Sequence, residues 1–168
     1  MDGLSRLNGL PVDAARAELL RCGGSTRWAE RMAELRPFPD RQALFAAAET
    51  IWNGLGPDDW REAFAHHPRI GDKEALRARF ANTAQWAEGE QAGALGASEE
   101  VLDALAEGNQ AYEARFGHIF IVCATGKSAS EMLRLLGQRL SNDPEAELHI
   151  AAGEQAKITR LRLEKLLG

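Results

Sequence analysis

Apolar residues recur along most of the chain at the three- and four-residue spacing of amphipathic helices. The spacing predicts a helix from Pro11 to Cys22, a second helix that follows an Asp40 N-cap, and a short helix from Pro57 to about His66. Because a residue that precedes proline is disfavoured in the α conformation, this short helix must end before Pro68. We therefore expect His67 to lie where a helix gives way to a loop.

Three more helices are predicted in the second half of the chain. Ser98 is expected to begin a helix that ends at Gly117, Ser128 and Glu131 form a capping box for the next, and Asp143 opens a last helix to about Leu167. Residues 118–124, HIFIVCA, are rich in β-branched and aromatic side chains and are expected to be extended. The pattern predicts an all-α, single-domain multi-helix bundle over residues 1–168, with one short extended segment near residues 118–124.

Composition and charge narrow the classes of partner. The chain has 168 residues and a net charge of −5, so it lacks the positive field that attracts nucleic acid. Its apolar runs are far shorter than the roughly 20 residues that cross a bilayer, and no targeting signal is evident at either end. The only two cysteines, Cys22 and Cys123, lie far apart, as is typical of reduced thiols. These features predict a cytoplasmic protein with no membrane or nucleic-acid partner.

The last helix places an arginine among apolar residues. At about 100° per residue, one face carries Leu148, Ala151, Ala152, Gln155, Ile158, Arg162, Leu163 and Leu166, and the opposite face carries Glu154, Lys157, Arg160 and Glu164. A guanidinium on a core-facing stripe needs an anionic partner, since an unpaired buried charge is costly. Arg162 is therefore either a structural residue, paired or reaching to solvent, or a clamp for an anionic substrate.

Two further groups of polar residues are candidates for chemistry. Glu90 and Gln91 share a face with the small residues Ala87 and Ala94, a pattern that fits a ligand contact but also an ordinary solvated helix face. His67 has a ring that titrates near neutral pH and a backbone restrained by the proline after it, which suits a general base. A surface histidine at a helix end is more common, and spacing does not distinguish His67 from His66.

Two common kinds of site lack their motifs. The sequence ATGKS before a helix start resembles a phosphate-binding loop, but Ile121 occupies the position of the first glycine that such a loop requires. Neither HExxH nor paired CxxC motifs occur, so no metal site is predicted.

Several longer motifs resemble one enzyme family. They are LNGL at 7–10, RPF at 36–38, AHHPRIGDK at 65–73, EQAGA at 90–94, NQAYEARFGHIFIVCATGKS at 109–128, SND at 141–143 and E-x-x-KI-x-x-LRL at 154–163. In this order they resemble the 2-oxo-4-hydroxy-4-carboxy-5-ureidoimidazoline (OHCU) decarboxylases over nearly the whole chain.

The resemblance implies an all-α homodimer without a cofactor that converts OHCU to (S)-allantoin, the last step of urate breakdown. It places the catalytic histidine at His67, the glutamate and its neighbouring amide at Glu90 and Gln91, and the late arginine at Arg162. It also implies substrate contacts from Pro68 and from the main chain of residues 119–123, Ile119 and Ile121 among them. Many members carry a serine where this chain has Ala87, so a hydroxyl contact to substrate is missing or is supplied elsewhere.

Overall fold

The computed structural model describes residues 2–67 and 92–168, with side chains from residue 99 onward in the second range. Within these ranges the chain forms eight α-helices and no β-strand, which confirms the predicted all-α fold. The helices are α1 (Gly3–Gly9), α2 (Val12–Gly23), α3 (Thr26–Glu34), α4 (Arg41–Asn53), α5 (Pro57–Ala65), α6 (Ala92–Phe116), α7 (Ala129–Leu140) and α8 (Pro144–Leu167). None of these helices is both long and apolar enough to cross a membrane.

The predicted cap residues begin three of the helices. Asp40 Oδ1 accepts the Ala43 N–H at 2.7 Å, Ser128 Oγ accepts the Glu131 N–H at 3.2 Å, and Asp143 Oδ2 accepts the Glu145 N–H at 3.1 Å. Each side chain thereby satisfies a main-chain donor that a helix start leaves without an internal partner.

The predicted start of α6 was wrong. The helix begins at Ala92 rather than at Ser98, and it ends at Phe116 before Gly117, whose φ of 79° is the left-handed conformation of a helix C-terminus. A serine followed by acidic residues favours a helix start but does not require one. In residues 92–97 three alanines and a leucine favour helix while two glycines disfavour it, so local propensity does not explain the earlier start. After Gly117, residues 119–124 have no regular secondary structure, as expected for a segment without a partner strand.

The chain divides into two compact units. The first unit comprises Met1–His67 and Ile150–Gly168, and the second comprises Pro68–His149. The single-domain organisation of residues 1–168 stays a prediction.

Tryptophan side chains tie the helices of the first unit together. The Nε1 atoms of Trp28, Trp52 and Trp60 donate to the carbonyl oxygens of Ala48, Ala152 and Trp52, respectively, at 2.9–3.1 Å. All three rings are buried, so each buries a large apolar surface while its N–H keeps a partner.

Close packing between α2 and α3 requires a glycine. A Cβ atom at Gly23 would lie 2.4 Å from Cε3 of Trp28. The next residue, Gly24, has a φ of 76° and ends α2, so two successive glycines permit the turn and the contact.

Two of the resembling motifs interlock in the first unit. The Asn8 side chain donates to the Phe38 carbonyl at 3.0 Å and accepts the Phe38 N–H at 2.9 Å. The Arg36 Nη1 donates to the carbonyls of Leu7 and Leu10 at 2.9 and 2.7 Å, which satisfies acceptors at the end of α1. The LNGL and RPF motifs therefore have a structural role here.

The core of the second unit lies between α6, α7 and the segment that joins them. Its buried apolar residues are Leu102, Leu105, Tyr112, Val122, Met132 and Leu136. Gly108 permits a close approach of the helices, since a Cβ there would lie 2.5 Å from Leu136 Cδ2. This core holds residues 119–123 against the two helices.

Candidate active site

His67 lies immediately after the C-terminal end of α5, as the sequence predicts. Its main-chain N–H donates to the Phe64 carbonyl at 3.2 Å, which continues the last turn of the helix for one more bond. The side chain is half-buried, whereas that of His66 is exposed. The structure thus distinguishes two histidines that spacing alone leaves equivalent.

The imidazole of His67 contacts a buried amide on α8. Its Nε2 atom lies 2.5 Å from Oε1 of Gln155, and Nε2 of Gln155 donates to Oγ1 of Thr159 at 3.1 Å. Gln155 is completely buried and Thr159 nearly so. These three side chains, which we call the amide cluster, form a hydrogen-bonded chain within the first unit.

Arg162 lies at the edge of the buried row of α8 rather than within it. The fully buried row runs through Ala151, Gln155, Thr159, Leu163 and Leu167, at four-residue intervals. Arg162 belongs to the adjacent row with Ile158 and Leu166, and all three are half-buried. The sequence predicts Arg162 on the core-facing stripe, and the structure places it at the half-buried edge of that stripe, because the most deeply buried positions of this helix follow one four-residue ridge.

The Arg162 guanidinium belongs to an open depression of about 320 Å³ on the first unit, lined by Glu18, Arg21, Cys22, Arg162, Lys165 and Leu166. Within the described parts of the chain, no carboxylate lies at ion-pair distance from Arg162. The Glu18 carboxylate instead accepts two hydrogen bonds from Arg6, both at 2.9 Å, and this pairing lowers the pKa of Glu18. The depression therefore presents three cations and one neutralised carboxylate.

The Cys22 thiol in the same depression is held neutral. Burial raises its pKa to about 11, and the nearby Arg162 charge opposes this shift only in part. Because the thiolate is the nucleophilic form, Cys22 is an apolar part of the wall rather than a candidate nucleophile.

Ile119 and Ile121 lie in the irregular segment of the second unit, and hydrogen bonds to described residues involve only part of their main chain. The N–H groups of residues 119–122 donate no main-chain hydrogen bond to a described residue. The Ile121 carbonyl, by contrast, accepts Nη1 of Arg139 at 2.6 Å, and the Ile119 carbonyl lies 2.9 Å from Nδ1 of His118. With respect to the described residues, the segment thus offers main-chain donors, the groups that a ureido or ring carbonyl requires.

A buried ion pair between Arg139 and Glu147 holds the main chain of residues 119–123 in place. Arg139 donates from Nε and Nη2 to Oε2 of Glu147 at 2.8 and 2.5 Å, and its guanidinium lies 4.6 Å from the centre of the Phe120 ring. The Tyr112 hydroxyl donates to the same carboxylate oxygen. The pKa of the Tyr112 phenol is raised, mainly by burial and secondly by this hydrogen bond. We call Arg139, Glu147 and Tyr112 the charged cluster.

The remaining site residues predicted from the sequence, Pro68, Ala87, Glu90 and Gln91, lie outside the described residues. Within the described ranges, no group of three or more His, Cys, Asp or Glu side chains could hold a metal ion. The sequence prediction of a site without a cofactor is not tested by this observation.

Residues 8–164 match the family model described as OHCU decarboxylase. The chain belongs to the OHCU decarboxylase family. It is 40% identical over 148 residues to the uric acid degradation bifunctional protein TTL of Arabidopsis thaliana, a match that covers 86% of this chain and 45% of that protein. It is 31% identical over 97 residues to the OHCU decarboxylase of Xenopus laevis, covering 58% of this chain and 55% of the relative. The chain thus spans about half the length of these relatives.

A crystal structure of an OHCU decarboxylase in the presence of (S)-allantoin has the same fold. The two structures superpose with a TM-score of 0.71 at 38% sequence identity, over 89% of this chain and 96% of that one. The family expected from the sequence motifs is therefore confirmed.

The sequence interpretation assigned no role to several buried polar residues. Glu147, Gln155 and Thr159 occupy positions of one four-residue series on α8 that otherwise carries alanine and leucine. Arg139 is seven residues after Met132 on the buried face of α7. Polar residues at core-facing positions are the signal that would have pointed to both clusters, although their partners cannot be identified from spacing.

Proposed function

We propose that this chain decarboxylates OHCU to (S)-allantoin, in the last step of urate breakdown and without a cofactor. The observation that carries the proposal is the match to the OHCU decarboxylase family over residues 8–164. The similar fold of an OHCU decarboxylase solved with (S)-allantoin supports it.

The substrate itself accounts for the absence of a cofactor in this proposal. The carbon that bears the carboxylate and the hydroxyl adjoins a ring C=N bond, so the electron pair of the breaking C–C bond can move into that imine. Carbon dioxide leaves, the ring nitrogen gains a proton, and an enol remains. The hydroxyl then loses its proton to become a carbonyl, and the neighbouring carbon gains a proton on one face. The protein has to control where these protons go.

The proposed catalytic residues are His67, Glu90 and Arg162. His67 takes the hydroxyl proton, Glu90 orients His67 or the substrate, and Arg162 binds an anionic or carbonyl oxygen as charge moves. Two structural observations support this assignment: the His67 ring is held by a hydrogen bond, and no described carboxylate neutralises Arg162.

The proposed substrate-binding residues are Pro68, Ala87, Gln91, Ile119 and Ile121. For Ile119 and Ile121, the proposal is supported by N–H groups that donate no main-chain hydrogen bond to a described residue. For the other three, the support is the position of each residue in the motifs that resemble the family.

The proposal extends to assembly and location. The family resemblance favours a homodimer, and the two buried thiols, Cys22 and Cys123, fit the reducing cytoplasm. Sedimentation of the purified chain tests the first point, because a species of twice 18.4 kDa is expected.

The decisive experiment follows the ureidoimidazoline after enzymatic oxidation of urate, with and without the protein. We expect its ultraviolet absorbance to decay faster with protein, and optical rotation to show a single allantoin enantiomer. Decay at the spontaneous rate would favour two rival hypotheses, a helical interaction module or a family member inactivated by Ala87. Activity should also survive exhaustive chelation and dialysis, and a requirement for added metal would contradict the mechanism.

A further inference from the structure

Gln155 is an unusual residue for its position. It is completely buried on α8, in the four-residue row that otherwise carries Ala151, Thr159, Leu163 and Leu167. A primary amide in such surroundings destabilises the fold unless its donors and acceptor are satisfied. Its hydrogen bonds therefore determine what it does there.

The two ends of this amide have different partners. The nitrogen donates to the Thr159 hydroxyl oxygen, one turn further along the same helix, at 3.1 Å. The oxygen faces His67 Nε2, at 2.5 Å. Because an amide oxygen only accepts hydrogen bonds, Nε2 of His67 must carry a hydrogen.

This arrangement selects one form of the neutral imidazole. A neutral histidine ring carries one N–H, so a hydrogen on Nε2 leaves the lone pair on Nδ1. We propose that Gln155, anchored by Thr159, is a positioning residue that holds His67 in the Nε2–H tautomer and makes Nδ1 the proton acceptor in catalysis. The catalytic part of this inference rests on the proposed function, whereas the tautomer does not.

The tautomer can be measured directly in the full-length protein labelled with ¹⁵N-histidine. Long-range ¹H–¹⁵N correlation spectra distinguish Nε2–H from Nδ1–H rings, and a His67→Asn sample assigns the signal. We expect wild-type His67 to be the Nε2–H tautomer. In Gln155→Leu, which removes the acceptor at similar volume, we expect a mixture of tautomers.

Kinetics then test the catalytic consequence. Gln155→Leu should lower kcat about tenfold or more with KM within about twofold, because the ring is misdirected while substrate contacts remain. Gln155→Glu, which retains an acceptor, should restore the Nε2–H tautomer and most of kcat. Lys157→Ala, an exposed position two residues away on the same helix, should behave as wild type.

If Gln155→Leu does not fold, Thr159→Val tests the same series of hydrogen bonds by removing only the hydroxyl that binds the Gln155 amide. We expect this variant to change the tautomer and kcat less than Gln155→Leu does. An Nδ1–H ring in the wild type would overturn the inference, as would a leucine variant with the wild-type tautomer and kcat. A wild-type protein without decarboxylase activity would instead refute the proposed function, and the tautomer measurement would still decide whether Gln155 positions His67.

Discussion

The two buried polar clusters of this molecule satisfy their buried polar groups in different ways, one with an ion pair and the other with neutral hydrogen bonds. In the second unit, the charged cluster matches the Arg139 guanidinium to the Glu147 carboxylate and uses its remaining nitrogen on the Ile121 carbonyl. In the first unit, the amide cluster is built from two neutral side chains that end on His67. Among the described residues, every buried side-chain nitrogen or oxygen has a hydrogen-bond partner.

The difference between the clusters suggests different roles. Removing one member of a buried ion pair leaves an unpaired charge in a medium of low polarity, so the charged cluster is expected to act mainly on stability. Loss of a neutral amide contact is far less costly, and the amide cluster ends on a residue that can exchange a proton. We therefore expect substitutions in the charged cluster to lower the stability of the fold, and substitutions in the amide cluster to change the chemistry.

The largest effect is expected for Glu147→Ala. Arg139 would remain buried without its carboxylate, and the free energy of unfolding should fall by about 3–5 kcal/mol, as measured by urea denaturation. Glu164→Ala is the matched control, because Glu164 pairs with Arg160 at an exposed position and should contribute less than about 1 kcal/mol. Equal losses in the two variants would contradict the expected dominance of the buried ion pair in stability.

His67→Asn tests the expected role of the amide cluster in the chemistry. The variant should keep the helical circular dichroism of the wild type while kcat/KM for OHCU falls about 100-fold or more, since a general base is lost. His66→Asn should be much milder, because that side chain is exposed and lies outside the amide cluster. Similar rates in the two variants would be evidence against His67 as the catalytic histidine.

Cys22 shows a third way to bury a titratable group. Its thiol, in the first unit, stays neutral instead of forming an ion pair. Its pKa is raised from 9.0 to about 11, so at pH 8 the folded protein should carry about 100-fold less thiolate than the unfolded chain. Alkylation by iodoacetamide, followed by mass spectrometry of the Cys22 peptide, should be slower by at least that factor. Equal rates in folded and urea-denatured protein would contradict a neutral, buried thiol.

The same shift has a defined effect on stability. A raised thiol pKa favours the neutral form in the folded state, so the contribution of Cys22 to stability is full below pH 9.0 and is lost as the pH rises through about 11. The unfolding midpoint of wild type should therefore fall more steeply over this range than that of Cys22→Ser.

The smallest effects concern the two arginines of α8. Arg162→Ala should lower kcat/KM about tenfold, equivalent to about 1.4 kcal/mol, with the helices intact. Arg160→Ala should leave the rate unchanged and cost at most about 1 kcal/mol, since the contacts of Arg160 with described residues are an exposed ion pair with Glu164 and a contact with the Phe45 ring. An undiminished rate in a folded Arg162→Ala protein would show that this arginine is structural.

Most of the helices, and the position of His67 at a helix end, could be predicted from local sequence. The caps at Asp40, Ser128 and Asp143 act within three residues, so their effect is visible in the sequence itself. The position of His67 after α5 follows from Pro68 for the same reason. The start of α6 was missed because a good capping residue such as Ser98 does not have to begin a helix.

What the sequence by itself determined is the helical period, the helix ends that caps and prolines enforce, and the family, since each depends on residues in a fixed order along the chain. Only the tertiary structure decided which polar residues meet. Gln155 follows His67 by 88 positions, and Glu147 follows Tyr112 by 35. Such pairs form because buried polar groups must find partners wherever packing brings them together, and packing is set by the whole set of helices rather than by any local pattern. Hence the charged cluster and the partner of His67 could be found only in three dimensions.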